Sequence, residues 1–493
     1  MYKKIVFPLI YLSLTIWLCG QVRGQSLITL EKALEIAGQN SPDIQKSFLN
    51  MERSRESLNA QKAGYKSKFQ LKVTPFSYEN SRAFNTYFSK WNTEETTQSF
   101  GSFSVNQPIV QTDATVSLVN RFGWQKNFSG NNDTTTKSFT NNLYLELSQP
   151  LFSYNKAKMK IKELELDLEN SNLSYSIQML NLEKGVSQYF FQVYMAQMSL
   201  TIAKDELDKT QQSFDIITNK VNAGLAPKEQ LYQAELNLMN AKSGLQNKIV
   251  DLENIKDDFK LYIGMGLNEQ VLALADISIN PVPVDLEIAV KRALEARMEL
   301  RQKQIDIETS QFDLIKTKDN NKFNGTVNLS VGLNGDNPNL PNVYNNPTRS
   351  PKVEISFNIP IFDWGQRKSL IKAQEAVIKS TVINLDVEKK QIEMNVRKTY
   401  RSLQNQLNQI DIAKQNEKNA QLTYEINLER YRNGDLTSMD LKLYQNQLSE
   451  KKTSLLQAQI NYKLELLNLK IQSLYDFEKN QSLVPSTLFN NQK

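Results

Sequence analysis

"ISFNIPIFDWGQRK", residues 355–368, changes character halfway along its length. Through Ile361 the apolar residues alternate. Val353, Ile355, Phe357, Ile359 and Ile361 face one way, and Glu354, Ser356 and Asn358 the other, the period of a strand with one buried face. Pro360, which has no N–H to give a sheet ladder, interrupts the pattern, and beyond Gly365 a very long helical sequence begins. An echo stands upstream in "LELSQPLFSYNKAK", where Pro150, Phe152 and Lys158 lie 210 positions before Pro360, Phe362 and Lys368. The chain makes one abrupt strand-to-helix transition twice.

The same offset recurs farther on. Val186, Phe190, Val193, Leu200 and Ala203 correspond to Val396, Tyr400, Leu403, Ile410 and Ala413, and Gly224, Leu231 and Leu238 to Gly434, Leu441 and Leu448. One constant spacing across separate features marks an internal duplication. Before the strands, "TLEKALEIAGQNSPDI" (29–44) resembles "DLEIAVKRALEARMEL" (285–300) at an offset of 256, so the first copy carries 46 additional residues between Ile44 and Pro150. The boundaries that follow are a leader at 1–24, a first repeat at 25–282, a second at 283–478 and a polar tail at 479–493.

Each copy reads as a helix (about 30–66 and 286–320), a strand-like region and a long helical hairpin. The hairpin arms run from about 156 to 221 and 227 to 263, then from about 366 to 432 and 437 to 475. Gly224 and the pair Asn433 and Gly434 supply the left-handed conformation that stops a helix. An arm of some 65 residues would span about 100 Å. Its apolar residues follow a heptad, with Leu182, Val186, Tyr189, Val193, Ala196, Leu200 and Ala203 stepping by four and three, which means coiled-coil packing. The helices alone suit a rod-like coiled coil.

The strands point elsewhere. "TVNLSVGL", "NLYLELSQ" and "TVSLVNRFGW" alternate as 353–361 does, with Val327, Leu329 and Val331, or Leu143, Leu145 and Leu147, on one face and Asn, Ser, Tyr or Glu on the other. Each is close to the ~9–11 residues of a tilted membrane strand. Polar loops ("KNFSGNNDTTTKS", "NGDNPNLPNVYNNPTRS") join them in pairs, and Phe152, Phe362 and Trp364 stand at the opposite ends, where an interfacial aromatic belt is expected. A soluble antiparallel sheet with one wet face is the alternative. Four strands cannot close a barrel, and an open edge in lipid leaves backbone groups unsatisfied, so several chains must share one. "FQLKVTPFSY" and "SFGSFSVNQPI", within 69–110, read as extra strands or an ordered insert.

The first residues combine Lys3 and Lys4, an apolar run from Ile5 to Leu18 and the small residue Gly24, a secretory signal peptide cleaved before Gln25. Two alternatives are a membrane anchor, for which the run is short, and lipidation at Cys19, which follows the bulky Trp17 and Leu18. The chain has 59 Lys and Arg against 53 Asp and Glu. Loss of the basic leader brings these near balance, which argues against nucleic acid as a partner. Histidine is absent and the one cysteine lies in the leader, so the commonest general base, metal ligands and nucleophiles are missing. No cofactor and no metal site is expected.

The doubled layout, the strand–Pro–aromatic–helix joint, and the turns "AGLAPKEQLYQAEL" and "NGDLTSMDLKLYQ" resemble the TolC-like outer-membrane efflux proteins, over nearly the whole mature chain. The resemblance implies a mixed α and β fold and no enzyme activity. Four membrane strands per chain would build a shared trimeric twelve-stranded β-barrel, and long coiled-coil hairpins a twelve-helix periplasmic α-barrel. It implies a homotrimer in the outer membrane of a Gram-negative bacterium, passively conducting small molecules or proteins in a tripartite efflux or type I secretion system. A periplasmic adaptor, an inner-membrane transporter of RND or ABC type and outer-membrane lipid would be its partners. The matching tip residues for adaptor docking are Ala223, Gly224 and Leu225, and Asn433, Gly434 and Asp435. Asp440 stands where the family places an acidic ring at the periplasmic aperture, and Leu443 where it places a second acid. Pro150, Phe152, Pro360, Phe362 and Trp364 mark the joints. A periplasmic adaptor or a structural coiled-coil protein of the cell envelope is the competing reading.

Overall fold

A computed structural model of the chain describes residues 26–87, 89–130 and 133–483. The expected leader, Cys19 and residues 484–493 lie outside these. The helices are α1 (Leu30–Asn40), α2 (Pro42–Gly64), α3 (Lys156–Asn222), α4 (Lys228–Ile263), α5 (Leu286–Ala296), α6 (Met298–Asp319), α7 (Gln366–Asn433) and α8 (Ser438–Ser473). The strands are β1 (Ser26–Ile28), β2 (Lys68–Asn85), β3 (Lys90–Ile109), β4 (Ala114–Ser129), β5 (Thr134–Leu151), β6 (Val271–Ala273), β7 (Asn324–Asn337), β8 (Thr348–Asn358), β9 (Tyr475–Asp476) and β10 (Gln481–Ser482). Two compact units form, one from 26–47, 176–297 and 391–483, the other from 48–175 and 298–390. Each takes residues from both repeats.

The hairpin arms end within about two residues of their expected limits, because heptads and caps are local signals. The opening helices do not. The single helices expected at 30–66 and 286–320 are each broken in two. In the first copy Ser41 precedes Pro42, and the proline ring disfavours helical ψ in its predecessor; Ser41 takes ψ 126° while its N–H still reaches the Ala37 carbonyl at 2.9 Å. In the second copy Arg297 takes φ −64°, ψ 123°, and its guanidinium donates to the Ile471 carbonyl at 3.2 Å.

In the first unit the heptad residues form the core. Leu182, Val186, Val193 and Ala196 of α3 are buried, as are Val396, Leu403, Ile410 and Ala413 of α7. Phe190 on α3 meets Phe259 on α4 edge-on at 6.4 Å. Each full burial of such a side chain contributes about 1.5–3 kcal/mol. Gly264 caps α4 at φ +73°, so close to Asn40 that a Cβ would stand 2.3 Å from its carbonyl oxygen. β1 and β6 pair in parallel, and Gln197 binds the β6 edge twice, donating to the Ala273 carbonyl at 3.1 Å and accepting from its N–H at 2.8 Å. Within the polar tail, Gln481 and Ser482 (β10) pair antiparallel with Asp476 and Tyr475 (β9).

The second unit contains an antiparallel sheet in the order β2-β3-β4-β5-β7-β8. The sheet holds six strands: the two segments read as extra strands or an ordered insert form β2 and β3, and the four anticipated strands follow. The bulge at Pro75 and Phe76, between Thr74 and Ser77, broke the alternation on which the reading relied. The first polar loop is also shorter than expected, since most of 126–138 is strand and Gly130 closes onto the Thr93 carbonyl at 2.8 Å. The second holds a short 3-10 turn at Leu340–Tyr344.

Directly opposed residues of neighbouring strands share a face. Register therefore puts Phe69, Leu71 and Val73 with Phe103 and Val105, Val116 and Leu118, Leu143, Leu145 and Leu147, Val327, Leu329 and Val331, and Val353, Ile355 and Phe357. The other face carries Lys68, Asn106, Ser117, Glu146, Ser330 and Lys352 as one directly opposed row. Large members of the apolar face stay exposed, Val73 at 62% and Val353 at 71% among them.

Candidate functional site

Two regions gather the candidate residues: the hairpin turns in the first unit and the strand-to-helix joints in the second. At the first turn α3 ends in a left-handed cap. Gly224 has φ +74°, and Leu225 returns its N–H to the Lys220 carbonyl at 2.8 Å. At the second, Gly434 has φ +94° and Asp435 returns to Arg430 at 2.9 Å. An L-residue at such φ carries strain that glycine avoids. The duplication thus gives two equivalent turns, differing in chemistry where Leu225 faces water (79% exposed) and Asp435 is an acid.

The turns are tied together. Lys220 Nζ donates to the Tyr431 carbonyl at 2.7 Å and lies 5.4 Å from its ring centre. Tyr431 is buried with Tyr424, Leu441 and Leu448, and its hydroxyl donates to the Ser213 carbonyl at 3.0 Å. Burial pushes that hydroxyl up to about 12. Farther along, Lys442 donates to Glu206 at 2.5 Å, and Asp205 accepts from Lys209 at 2.6 Å and Lys452 at 3.4 Å. Desolvation raises the Asp205 carboxyl, but the hydrogen bond and charge of Lys209, joined by Lys452, hold it below its ordinary value.

Asp440 is exposed on the first turn of α8. Thr437 Oγ1 accepts from the Asp440 N–H at 3.2 Å and donates to its carboxylate at 2.6 Å, a reciprocal cap that fixes the side chain at the helix start. Leu443, one turn on, is exposed.

At the joints the structure separates the two prolines. Pro360 lies beyond the end of β8, whereas Pro150 sits inside β5 opposite Thr326. Phe152 (φ +61°) and Trp364 (φ +53°) then turn the chain, and Trp364 is 90% exposed beside Phe362, ring centres 4.7 Å apart. Lys322 donates to the Phe152 carbonyl at 2.7 Å. The helix starts are capped by residues the sequence reading passed over. Asn155 accepts from Lys158 N–H at 2.7 Å, and the Asp113 carboxylate, from the β3–β4 turn, accepts from Ala157 N–H at 3.1 Å. Asp363 accepts from Arg367 and Gly365 N–H groups at 3.1 and 2.9 Å, and these bonds, with Asn321, hold its carboxyl below the usual range. Asn155 and Asp363 sit just before helical patterns, where cap signals are sought. Asp113 and Lys220 act across long sequence separations and leave no local signal.

The outer membrane efflux protein family model matches residues 33–252 and 289–471. The chain belongs to that family. It is a passive outer-membrane efflux channel rather than an enzyme, and the family's channels are trimers that work with a periplasmic adaptor and an inner-membrane pump. No curated protein sequence matches. Among solved structures, the CmeC outer membrane channel of Campylobacter jejuni is 15% identical, with 94% of this chain and 88% of that one covered and a TM-score of 0.70. VceC of Vibrio cholerae is 13% identical, covering 91% and 95% with a TM-score of 0.65. The open-state MtrE channel of Neisseria gonorrhoeae is 13% identical, covering 91% and 89% with a TM-score of 0.64. At these identities the likeness establishes the fold. Among the described residues no helix is long and apolar enough to cross a membrane, and no acidic cluster suited to a metal ion occurs.

Proposed function

We propose that this channel is the exit duct of a tripartite efflux or type I secretion system, formed by three chains that share one membrane barrel. The observation that carries the reading is the sheet of the second unit, apolar on one face and polar on the other, with exposed apolar residues on every strand. A soluble sheet covers one face with a second layer, and large bare apolar patches are rare on soluble monomers. Lipid on one side and a watery lumen on the other satisfy both. An adaptor or a rod-like coiled coil has no use for such a sheet. Trp364 and Phe362 suit the membrane boundary.

In this reading Ala223, Gly224, Leu225, Asn433, Gly434 and Asp435 form the adaptor-docking tips, and Asp440 with Leu443 lines the aperture. The pump is of RND or ABC type, and signal peptidase cuts after Gly24. Four strands per chain would give the twelve-stranded barrel of the resemblance. Native mass spectrometry of detergent-extracted protein tests the core of the proposal. Three chains, each starting at Gln25, are expected, and a monodisperse monomer that keeps its β-structure overturns the shared barrel.

A further inference from the structure

We infer that the outer edges of β2 and β8 are mating surfaces for a second copy of this chain, so that all six strands enter the wall and three chains close an eighteen-stranded barrel. The inference rests on the trimeric reading above and deepens it. Four observations carry it.

The apolar face does not stop at β4. It runs on through Val105 and Phe103 of β3 to Phe69, Leu71 and Val73 of β2, all at heights set by unbroken register. A hairpin folded away into the lumen or over the outer surface has no reason to keep lipid-type residues on that face and polar ones opposite.

The β3–β4 turn is anchored to the joint. Asp113 caps the α3 N-terminus, Asn155 Nδ2 donates to the Val110 carbonyl at 2.6 Å and Gln149 Nε2 donates to the Thr112 carbonyl at 2.8 Å. The β2–β3 hairpin is therefore held in the plane of the sheet.

Among the described residues β2 (18 residues) and β8 (11 residues) are the terminal strands of the sheet, each laddered to one neighbour, β3 and β7. Long, apolar, unpaired edges are templates for another strand, and in lipid they must be paired. With six strands in antiparallel alternation, β8 of one copy meets β2 of the next antiparallel, and this head-to-tail contact closes into a ring.

The stagger fits. Direct pairing leads from Phe69 through Val105, Leu118, Leu145 and Val331 to Pro351. The apolar run of β8, Val353 to Phe357, lies nearer the strand base than that line. The band descends by about six residues across six strands, and the base of β8 (Asn358) lies six residues below the point level with Lys68. One residue per strand is the ratio of shear to strand number that tilts the eight-stranded α/β barrel by about 36°, within the range of membrane barrels. Joining β8 to β2 base to base restores a level band, with Ile355 opposite Leu71 of the next copy. Barrel diameter grows with strand number, so the membrane part of this duct is about half as wide again as a twelve-stranded one.

Disulfide trapping tests the edge pairing in the full-length protein in membranes. In a Cys19→Ala background, Leu71→Cys with Ile355→Cys should give an oxidant-dependent ladder up to a covalent trimer, since opposed strand residues lie within disulfide range. Gln70→Cys with Ile355→Cys, on opposite faces, should not. A ladder from Leu118→Cys with Ile355→Cys instead would make β4 the outer edge and the barrel twelve-stranded, overturning the inference while leaving the trimer intact. A ladder from neither pair, in protein that still weighs three chains, overturns it as well. A single-chain native mass defeats the trimeric reading and this inference with it. Hydrogen exchange on the unsubstituted trimer is the independent check. Amides 69–73 should exchange as slowly as 143–147, and rapid exchange there overturns the pairing.

Discussion

The Lys220 ammonium of α3 donates to the Tyr431 main-chain carbonyl of α7 at 2.7 Å, fastening the end of one hairpin to the end of the other. A charge-assisted bond of this kind is worth about 1.5–3 kcal/mol net. Lys220→Met keeps the aliphatic stem and removes the donor, so the turns should move more independently. Planar-bilayer recordings should show conductance rising about two-fold or more. Tyr431→Phe, which removes the bond to the Ser213 carbonyl, should act in the same direction by a smaller factor. Because both act on Tyr431, the double variant should give less than the product of the single effects. Unchanged conductance in all three would show that this contact does not restrain the aperture.

Asp440 should set part of the cation preference. Three carboxylates around a threefold aperture attract cations, as charged rings do in other pores. Asp440→Asn keeps an oxygen for the bond from Thr437, so the helix start should survive while selectivity falls. The effect should be modest because Leu443 is no acid. Reversal-potential measurements in a salt gradient decide the matter, and an unchanged preference places the selective constriction elsewhere.

Acid should loosen the contacts around Asp205. Its folded-state pKa lies below the ordinary value, so its contribution is complete above the unfolded pKa of about 3.9 and is lost as pH falls through the lower folded value. Wild type should be more stable than Asp205→Asn between pH 5 and 7, and the two melting curves should converge below pH 4. A gap that persists at pH 2 would assign the effect to something other than this carboxylate's charge.

Asp113 holds the β3–β4 turn to α3 from a left-handed backbone at φ +61°. Asp113→Ala loses a helix cap worth about 1 kcal/mol and adds strain of about 1 kcal/mol at that φ. Asp113→Asn retains a capping oxygen and tolerates the conformation, so it should cost less than half as much. The temperature at which the detergent-solubilised trimer dissociates should fall by several degrees for alanine and less for asparagine. Equal losses would remove the capping explanation.

The sequence alone determined the elements whose causes are local. Gly224, Gly434 and Thr437 ended and started helices where the chain shows them, and the heptad from Leu182 to Ala203 named much of the core residue by residue. Duplication made each such signal readable twice. What the sequence did not settle is set by partners far along the chain. The strand character of 68–85 is masked by Pro75 and its bulge and appears only when β3 supplies the register. Asp113 acts on Ala157, Lys220 on Tyr431 and Arg297 on Ile471. A hydrogen bond between residues tens or hundreds of positions apart imposes no period and no local composition, so the folded chain alone decides which donor meets which carbonyl.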